Sequence, residues 1–552
     1  MVDDTGKGAD EVVRVLETEG IEYVFGLPGS QILDVVDGVE RSDELEFVGT
    51  RHEQAAAFMA EGYARATRGP GACLSTVGPG ATNLVTGVAS AYKGYVPVLA
   101  LTGKHARWQQ ERNTFQEIDQ KELFEPITRY SRMAAEADDL PKLTRKAFRL
   151  MMAAPRGPAH LNLPKDTQQA SIERSDLPRR AYHPEGPVVP SDAVVTRVVD
   201  ELRAADRPVL FAGYDVVWEG AEAELRALAE AIGAPVVTSG FHLDAFPTTH
   251  DLGMGAIGPG FWGSANDVVA EADLVIAVGA HFDFISTHFN DDVIGESATK
   301  VQIHSDPDAL GAVYPLAVGA ICDVQPFLER TRDVATGVET DWSREDLRAR
   351  TESWDAERAT DVDPDATPLH PATVVRAARE VAPPETRFVV DGGNFQKHAI
   401  RQLDTYEPNT YLSNANFGTV GSAFPLALGA ACGVDDPVVC LTGDGGMGLN
   451  VQELETAARE NLPVTVVVFN DYGMGNVRSY QKYVFDERYA GVDFPEQDFV
   501  TIADGFGVAA RSVTDGDELA DAIGEGIEHG GPFVVDVEID AGALEKPVFM
   551  QD

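Results

Sequence analysis

Short apolar runs alternate with amphipathic segments along most of the 552-residue chain. Each run is long enough for one buried strand, and the segments between them, such as ADEVVRVLETEG, have helical spacing. Alternating strands and helices favour βαβ units and therefore parallel sheets. The pattern predicts an α/β protein with three doubly wound parallel-sheet domains. The runs with strand character include YVFGLPG, ACLSTVG, VPVLALTG, RPVLFAGYD, ADLVIAVGA, KVQIHSD, RFVVDGG, VVCLTGDGG and VTVVVFND.

Two polar, proline-containing stretches divide this pattern into three blocks. The first is SIERSDLPRRAYHPEGPVVPSD, and the second is the Asp- and Pro-rich end of ETDWSREDLRARTESWDAERATDVDPDATPLHP. Their composition is typical of linkers. The predicted domains are therefore 1–170, 190–330 and 365–552, which agrees with a chain long enough for about three domains.

The net charge changes the expected partners. With 89 acidic and 44 basic side chains the formal charge is −45, which disfavours binding to nucleic acid or to an anionic membrane. No apolar run approaches the roughly 18 residues of a membrane helix, and the acidic N-terminus does not resemble a secretory signal. We therefore predict a cytoplasmic protein. Its acidic surface indicates a salt-rich cytosol, such as that of a halophile.

The segment LTGDGGMGLNVQELETAARENLPVTVVVFND carries two carboxylates at predicted strand ends. Asp444 follows the first strand and Asp471 ends the second. Because a right-handed crossover brings both ends to the same sheet edge, the carboxylates are expected to converge where ligands bind. The neighbouring glycines leave backbone N–H groups open to an anion. Two carboxylates beside an anion need a cation, and Mg²⁺ would bridge them to phosphate.

This arrangement resembles the thiamine-diphosphate enzymes, whose metal motif begins with GDG and usually ends in Asn-Asn. The resemblance implies that Mg²⁺ is bound by Asp444, Asp471 and the backbone carbonyl of Gly473. Asp471 stands where asparagine is usual, and its carboxylate remains an oxygen ligand.

The first block is similar to the acetolactate-synthase-like branch of that family, through VGTRHEQAAAFMAEGYARATRGPG and STVGPGATNLVTGVASAYKGYVPVLALTG. The resemblance implies that Glu53 hydrogen-bonds the cofactor's aminopyrimidine ring and is the essential acid/base. The segment NTFQEID would carry Gln116 toward the reacting centre. GPGATN lacks both the third glycine and the later acidic residue of a dinucleotide fingerprint, so a Rossmann site there is disfavoured.

The resemblance also implies which residues surround each end of the cofactor. Gly418 would offer its carbonyl to the aminopyrimidine, and Val420 would be the apolar wedge beneath the two rings. Glu53 and Asp444 lie in different domains, so a homodimer is the smallest active unit expected, and a homotetramer is common in the family. The pyrimidine-end residues are Pro28, Thr76, Pro79 and Asn83, and the diphosphate-end residues are Asn394, Phe395, Gly443, Gly445, Gly446 and Met474.

The activity implied is a carboligation of the acetolactate-synthase type, as in branched-chain amino acid biosynthesis. Pyruvate would be decarboxylated and its two-carbon unit joined to a second 2-oxoacid. A non-ligating 2-oxoacid decarboxylase, an acyltransferase and a non-catalytic cofactor-binding homologue are alternatives, and a small regulatory subunit is left open. No histidine lies between His52 and His105 to match the histidines of the decarboxylases. FAD is doubtful, because His281 replaces the arginine of the family's flavin-associated segment.

Overall fold

The protein is described by a computed structural model that covers residues 5–290, 293–414, 416–547 and 550. Within these residues the chain forms three six-stranded sheets and one two-stranded ribbon. Every strand pair within the six-stranded sheets is parallel. The predicted α/β class with three parallel-sheet domains is therefore confirmed.

The first sheet reverses its strand order between Tyr23–Gly26 and Gly71–Ser75, which are neighbours. Such a switch point is the usual place for a ligand at the carboxyl edge of an open α/β sheet. In spatial order the strands are Glu46–Gly49, Tyr23–Gly26, Gly71–Ser75, Val98–Lys104, Ala159–Pro164 and Tyr130–Met133. The α-helices of this block are Gly8–Glu19, Leu33–Glu40, Glu53–Thr67, Pro79–Lys93, Gln120–Phe124, Leu140–Met152 and Lys165–Gln169.

The third sheet has the same internal order as the first, with its switch point between Arg387–Val390 and Val438–Gly443. In spatial order its strands are Tyr411–Leu412, Arg387–Val390, Val438–Gly443, Val464–Asn470, Phe533–Glu538 and Ala509–Val513. Its α-helices are Pro371–Val381, Asn394–Gln402, Ala423–Gly433, Asp444–Asn450, Glu453–Arg459, Gly475–Val484, Phe499–Gly505 and Leu519–Glu528.

The central sheet has a different order, because its first strand, Pro208–Ala212, lies in the middle. In spatial order its strands are Gly253–Ala256, Val236–Thr238, Pro208–Ala212, Leu274–Val278, Thr299–His304 and Val318–Ile321. The α-helices of this region are Asp192–Ala204, Tyr214–Glu219, Glu222–Ile232, Gly263–Ala270, Phe284–Thr287, Val324–Val334 and Arg344–Arg358. Short 3₁₀ turns in the chain are Arg107–Gln109, Glu125–Ile127, Ala137–Asp139, Arg179–Ala181, Leu243–Ala245, Pro307–Ala309, Ala359–Asp361 and Gly516–Glu518.

The stretch predicted as the first linker begins with a short β-strand. Ser171–Glu173 pairs antiparallel with Thr5–Lys7 and forms the two-stranded ribbon. Ile172 is buried, so one apolar side chain anchors a stretch whose composition is otherwise polar.

Helices from the first and third blocks pack directly against each other. Glu53–Thr67 lies on Ala423–Gly433, and a Cβ at Gly62 would stand 2.0 Å from the Leu426 carbonyl oxygen. A Cβ at Gly429 would likewise stand 1.9 Å from the Met59 carbonyl oxygen. Two glycines therefore allow the backbones to approach closely, and this contact fixes the helix that begins at Glu53.

In the part of the chain that the structure describes, no helix is both long and apolar enough to cross a membrane.

We expect the folded, assembled protein to require molar KCl. A chain of charge −45 repels itself when screening is weak, and the Debye length is about 30 Å at 0.01 M salt but about 3 Å at 1 M. Thermal unfolding and sedimentation velocity across a KCl series measure the effect, and isosmotic sucrose is the control that lowers water activity without screening charge. A folded, intact oligomer in dilute buffer would contradict the expectation.

Candidate active site

Two neighbouring strands of the third sheet each end in a carboxylate. Asp444 follows Val438–Gly443, Asp471 follows Val464–Asn470, and the strands pair in register up to Gly443 opposite Phe469. Asp444 is 1% exposed, and its Oδ2 accepts a hydrogen bond of 2.8 Å from the Gly473 amide. The structure therefore brings together the three residues that were expected to bind Mg²⁺.

The electrostatics of the pair suit a cation. Burial raises the pKa of Asp444 to about 7, and the nearby Asp471 carboxylate acts in the same direction. Burial also raises the pKa of Asp471, although Arg478 opposes this. Two adjacent buried carboxylates are costly to ionise together unless a positive charge joins them. The residues present therefore fit a hard divalent ion with oxygen ligands.

The protein supplies only part of such a coordination shell. Among the described residues, no group of three or more His, Cys, Asp or Glu side chains could hold a metal. Mg²⁺ typically takes one or two carboxylates and completes its shell with phosphate oxygens and water. The site is therefore suited to an ion that arrives with a diphosphate.

A cavity of about 230 Å³ lies beside the carboxylate pair. Phe241 and Ile285 of the central region line part of its wall. Eleven of the residues expected to contact the cofactor line it together, namely Asn394, Phe395, Gly418, Val420, Gly443, Asp444, Gly445, Gly446, Asp471, Gly473 and Met474.

Glycine is sterically required in the first turn of the helix that begins at Asp444. A Cβ at Gly445 would stand 2.6 Å from the Met474 sulfur, and one at Gly446 would stand 2.4 Å from Oδ2 of Asp391. The Met474 sulfur is on a flexible side chain and could shift, whereas the Asp391 carboxylate is held by hydrogen bonds, so glycine is required at position 446. A backbone turn without side chains suits the close approach of a phosphate group.

Asp391 is a buried carboxylate at the site that was not among the residues predicted from the sequence. Its carboxylate accepts hydrogen bonds of 2.9 Å from the Gly421 amide and the Thr442 hydroxyl, and burial raises its pKa to about 6. Asn450 donates to the Gly421 carbonyl at 2.6 Å. These bonds fix the end of the loop that carries Val420. One feature of the sequence does point to Asp391: it follows a strand directly, as Asp444 does.

Asn394 lies at the cavity wall, but its side-chain amide is engaged elsewhere. Its Nδ2 donates to the Ala543 carbonyl at 2.7 Å, and its Oδ1 accepts from the Glu545 amide at 2.9 Å. Lys397 and Ser479 donate to backbone carbonyls of the same C-terminal segment. That segment therefore ties together the two helices that begin at the cavity, Asn394–Gln402 and Gly475–Val484.

The residues expected at the pyrimidine end lie in the first domain. Glu53 is buried at the first position of its helix, and Asn83 Nδ2 donates to its Oε2 at 2.9 Å. A Cβ at Gly80 would stand 3.1 Å from the other oxygen, Oε1, and 2.9 Å from the Thr76 methyl carbon. Glu53, Thr76 and Asn83 therefore form one cluster.

Pro28 and Thr76 follow neighbouring strands of the first sheet, at its switch point. Pro79 and Gln116 line a second, open cavity of about 580 Å³. Gln116 is exposed and has a φ of 66°, and the adjacent Phe115 is 80% exposed. Within one copy of the described chain, none of these first-domain residues lines the cavity that contains Asp444.

Three family models match consecutive segments of the chain. They describe the N-terminal thiamine pyrophosphate (TPP) binding domain, matched at 6–123, the central domain, at 195–331, and the C-terminal TPP binding domain, at 391–537. The chain belongs to the thiamine pyrophosphate enzyme family. It is a thiamine-diphosphate-dependent enzyme that uses Mg²⁺, which confirms both cofactors predicted from the sequence.

Relatives match over nearly the whole chain. A probable acetolactate synthase large subunit of Methanocaldococcus jannaschii is 33% identical, over 97% of this chain and 92% of the relative. The acetolactate synthase large subunit of Corynebacterium glutamicum is 33% identical, over 98% and 88%. The isozyme 3 large subunit of Escherichia coli is 30% identical, over 98% and 96%. These matches confirm an acetolactate-synthase-like enzyme of the family.

Proposed function

We propose that this enzyme decarboxylates pyruvate and joins the two-carbon unit to a second 2-oxoacid. The observation that carries the proposal is the cavity in which the carboxylate pair meets the residues expected around the cofactor. The names of the full-length relatives support the same activity.

Thiamine diphosphate, when bound, would supply the nucleophilic carbon and the electron sink that decarboxylation of a 2-oxoacid needs. Asp444, Asp471 and the Gly473 carbonyl would hold Mg²⁺ against the diphosphate. Glu53 would hold or release a proton at Oε1, because Asn83 already occupies Oε2. Val420 presents an apolar side chain to the cavity.

The charges around the cavity favour carboligation over simple decarboxylation. Among the described residues that line it, the ionisable side chains are Asp444, Asp471 and Asp540, and histidine, lysine and arginine are absent. Two of these carboxylates are assigned to the cation, so this wall offers little acid to protonate a product. Gln116 would orient the second 2-oxoacid.

We propose that a second copy of the chain completes each site, in a homodimer or homotetramer. The Glu53 cluster and the Asp444 cavity are separate in one copy, yet both carry residues expected to contact one cofactor. Phe115, the neighbour of Gln116, is 80% exposed and leaves an apolar side chain for a partner to cover. We also propose domain bounds of 1–170, 190–330 and 365–552. The proposed location of the enzyme is the cytoplasm.

His281 offers no cation at the position of the flavin-associated arginine. It packs 4.3 Å from His304 between ring centroids, and burial lowers its pKa to about 3. The imidazole is therefore neutral near pH 7, which supports an enzyme that does not require FAD.

With pyruvate alone, the enzyme is expected to release CO₂ and form 2-acetolactate without free acetaldehyde. Proton NMR of an incubation with thiamine diphosphate and Mg²⁺ follows both products, and a Glu53→Gln preparation is the control for contaminating activity. Acetaldehyde without acetolactate would replace carboligation by simple decarboxylation. No turnover of pyruvate or of a panel of 2-oxoacids would favour the non-catalytic alternative.

A further inference from the structure

Arg478 lies against the loop that carries two of the proposed Mg²⁺ ligands. Its Nη1 donates to Oδ2 of Asp471 at 2.8 Å, and its Nη2 donates to the Tyr472 carbonyl at 3.4 Å. A Cβ at Gly473 would stand 2.1 Å from Nη2, so the guanidinium packs directly on the loop. Both side chains of the Arg478–Asp471 pair are 10% exposed.

A second carboxylate holds the guanidinium from its other side. Nε and Nη2 of Arg478 donate to Oδ1 of Asp493 at 3.2 and 3.0 Å. The Asp493 side chain is 68% exposed, so it faces solvent, whereas Asp471 faces the cavity. Arg478 is therefore fixed between one exposed carboxylate and one buried carboxylate.

A carboxylate can serve a cation and an arginine at once, because it has two acceptor oxygens. With Oδ2 held by Arg478, Oδ1 of Asp471 is the oxygen left for the metal. An asparagine has one acceptor oxygen and one NH₂ group. If that oxygen faced Mg²⁺, the NH₂ would face the guanidinium, and two donors would oppose each other in a buried place.

We propose that Arg478 is a positioning residue that holds Oδ2 of Asp471 so that Oδ1 binds Mg²⁺, and that Arg478 makes a carboxylate necessary at position 471. The inference rests on the metal site of the proposed function. It explains why this chain departs at Asp471 from the asparagine that the resemblance leads one to expect.

The test is a double-mutant cycle read as Mg²⁺ affinity. Mg²⁺ is titrated calorimetrically into apo-enzyme with excess thiamine diphosphate, in molar KCl to suppress diffuse binding to the acidic surface. Asp471→Asn should weaken Mg²⁺ binding by about tenfold or more. Adding Arg478→Gln should restore the affinity to within about threefold of wild type, because a glutamine oxygen can accept from the asparagine NH₂.

The double-mutant cycle distinguishes positioning of Asp471 by Arg478 from simple repulsion between Arg478 and Mg²⁺. If Arg478 only repelled the cation, Arg478→Gln would tighten Mg²⁺ binding in both backgrounds. Positioning predicts tightening with Asp471→Asn and none in the wild-type background. Asp493→Asn is the matched control, because it removes the charge of the other carboxylate while its Oδ1 can still accept from Arg478, so Mg²⁺ affinity should stay within about twofold.

Two results would overturn the proposal. One is wild-type Mg²⁺ affinity in Asp471→Asn, and the other is a double variant that binds Mg²⁺ no better than Asp471→Asn does. Should the Arg478→Gln proteins fail to fold, the Asp471→Asn titration alone still decides, since undiminished affinity refutes it. Absence of saturable Mg²⁺ binding in the wild type would instead overturn the metal site itself, and this proposal with it.

Discussion

Glu53→Gln is expected to lower turnover by about a hundredfold to ten-thousandfold, the usual contribution of a general acid or base. The glutamine keeps the shape of the side chain, and its carbonyl can still accept the hydrogen bond from Asn83. Its NH₂ group then lies at the place of Oε1, beside Gly80 and Thr76. The variant therefore loses the oxygen proposed to carry the proton, while the proposed diphosphate end of the site is unchanged.

Two measurements distinguish loss of chemistry from loss of binding. Calorimetric titration with thiamine diphosphate and Mg²⁺ should give nearly wild-type affinity, whereas exchange of the cofactor's C2 proton should slow with turnover. Glu61→Gln is the matched control, because Glu61 is a buried carboxylate of the same helix that pairs with Arg65 and Ser90. That variant should lose stability but not exchange rate per bound cofactor. Wild-type exchange in Glu53→Gln would refute the assignment.

Much of the fold follows from the alternation of strands and helices. The runs VVCLTGD and VTVVVFND became neighbouring parallel strands, and that topology alone brings Asp444 and Asp471 to one edge. The convergence of the two carboxylates was therefore predictable before any coordinates, because side-chain placement at a strand end depends mainly on register and crossover handedness.

Other parts of the site depend on contacts that no local pattern reveals. Asn394 bonds to residues 543 and 545, so the sequence around it gives no sign that its amide is engaged. Asp391 accepts hydrogen bonds from Gly421, in a loop, and from Thr442, in the neighbouring strand, and these partners are 30 and 51 residues away in the sequence. The fold gives a similar example at Ile172. The composition around it predicted a linker, but its buried side chain belongs to a short strand.

The first and third sheets share one strand order, and each carries its half of the expected site at the same switch point. Pro28 and Thr76 flank that point in the first sheet, and Asp391 and Asp444 flank it in the third. Under the proposed assembly, the two domains would present equivalent edges to opposite ends of one cofactor. Helix contacts at Gly62 and Gly429 join the two domains within one copy, but the edges themselves remain separate there.

Asp444→Ala is expected to reduce retention of thiamine diphosphate by about a hundredfold or more when Mg²⁺ is present. The substitution removes one of the two carboxylates proposed to bind Mg²⁺ and would leave the diphosphate charge poorly neutralised. Asp444→Asn keeps an oxygen ligand without the charge, so its affinity should fall between those of wild type and alanine. Calorimetric titration of the three apo-proteins measures the series.

The stability of the apo-protein provides an independent check on Asp444→Ala. Burial raises the pKa of Asp444 from its ordinary value of 3.8 to about 7, so the wild type loses stability as the pH rises from the lower value to the higher, and the full cost is present above about pH 7. The alanine variant lacks this cost, and above about pH 7 its apo form should melt no lower than wild type. Added thiamine diphosphate and Mg²⁺ should then raise the melting temperature of the wild type far more than that of the variant. Equal cofactor affinity and equal stabilisation in both proteins would show that Asp444 is not a ligand.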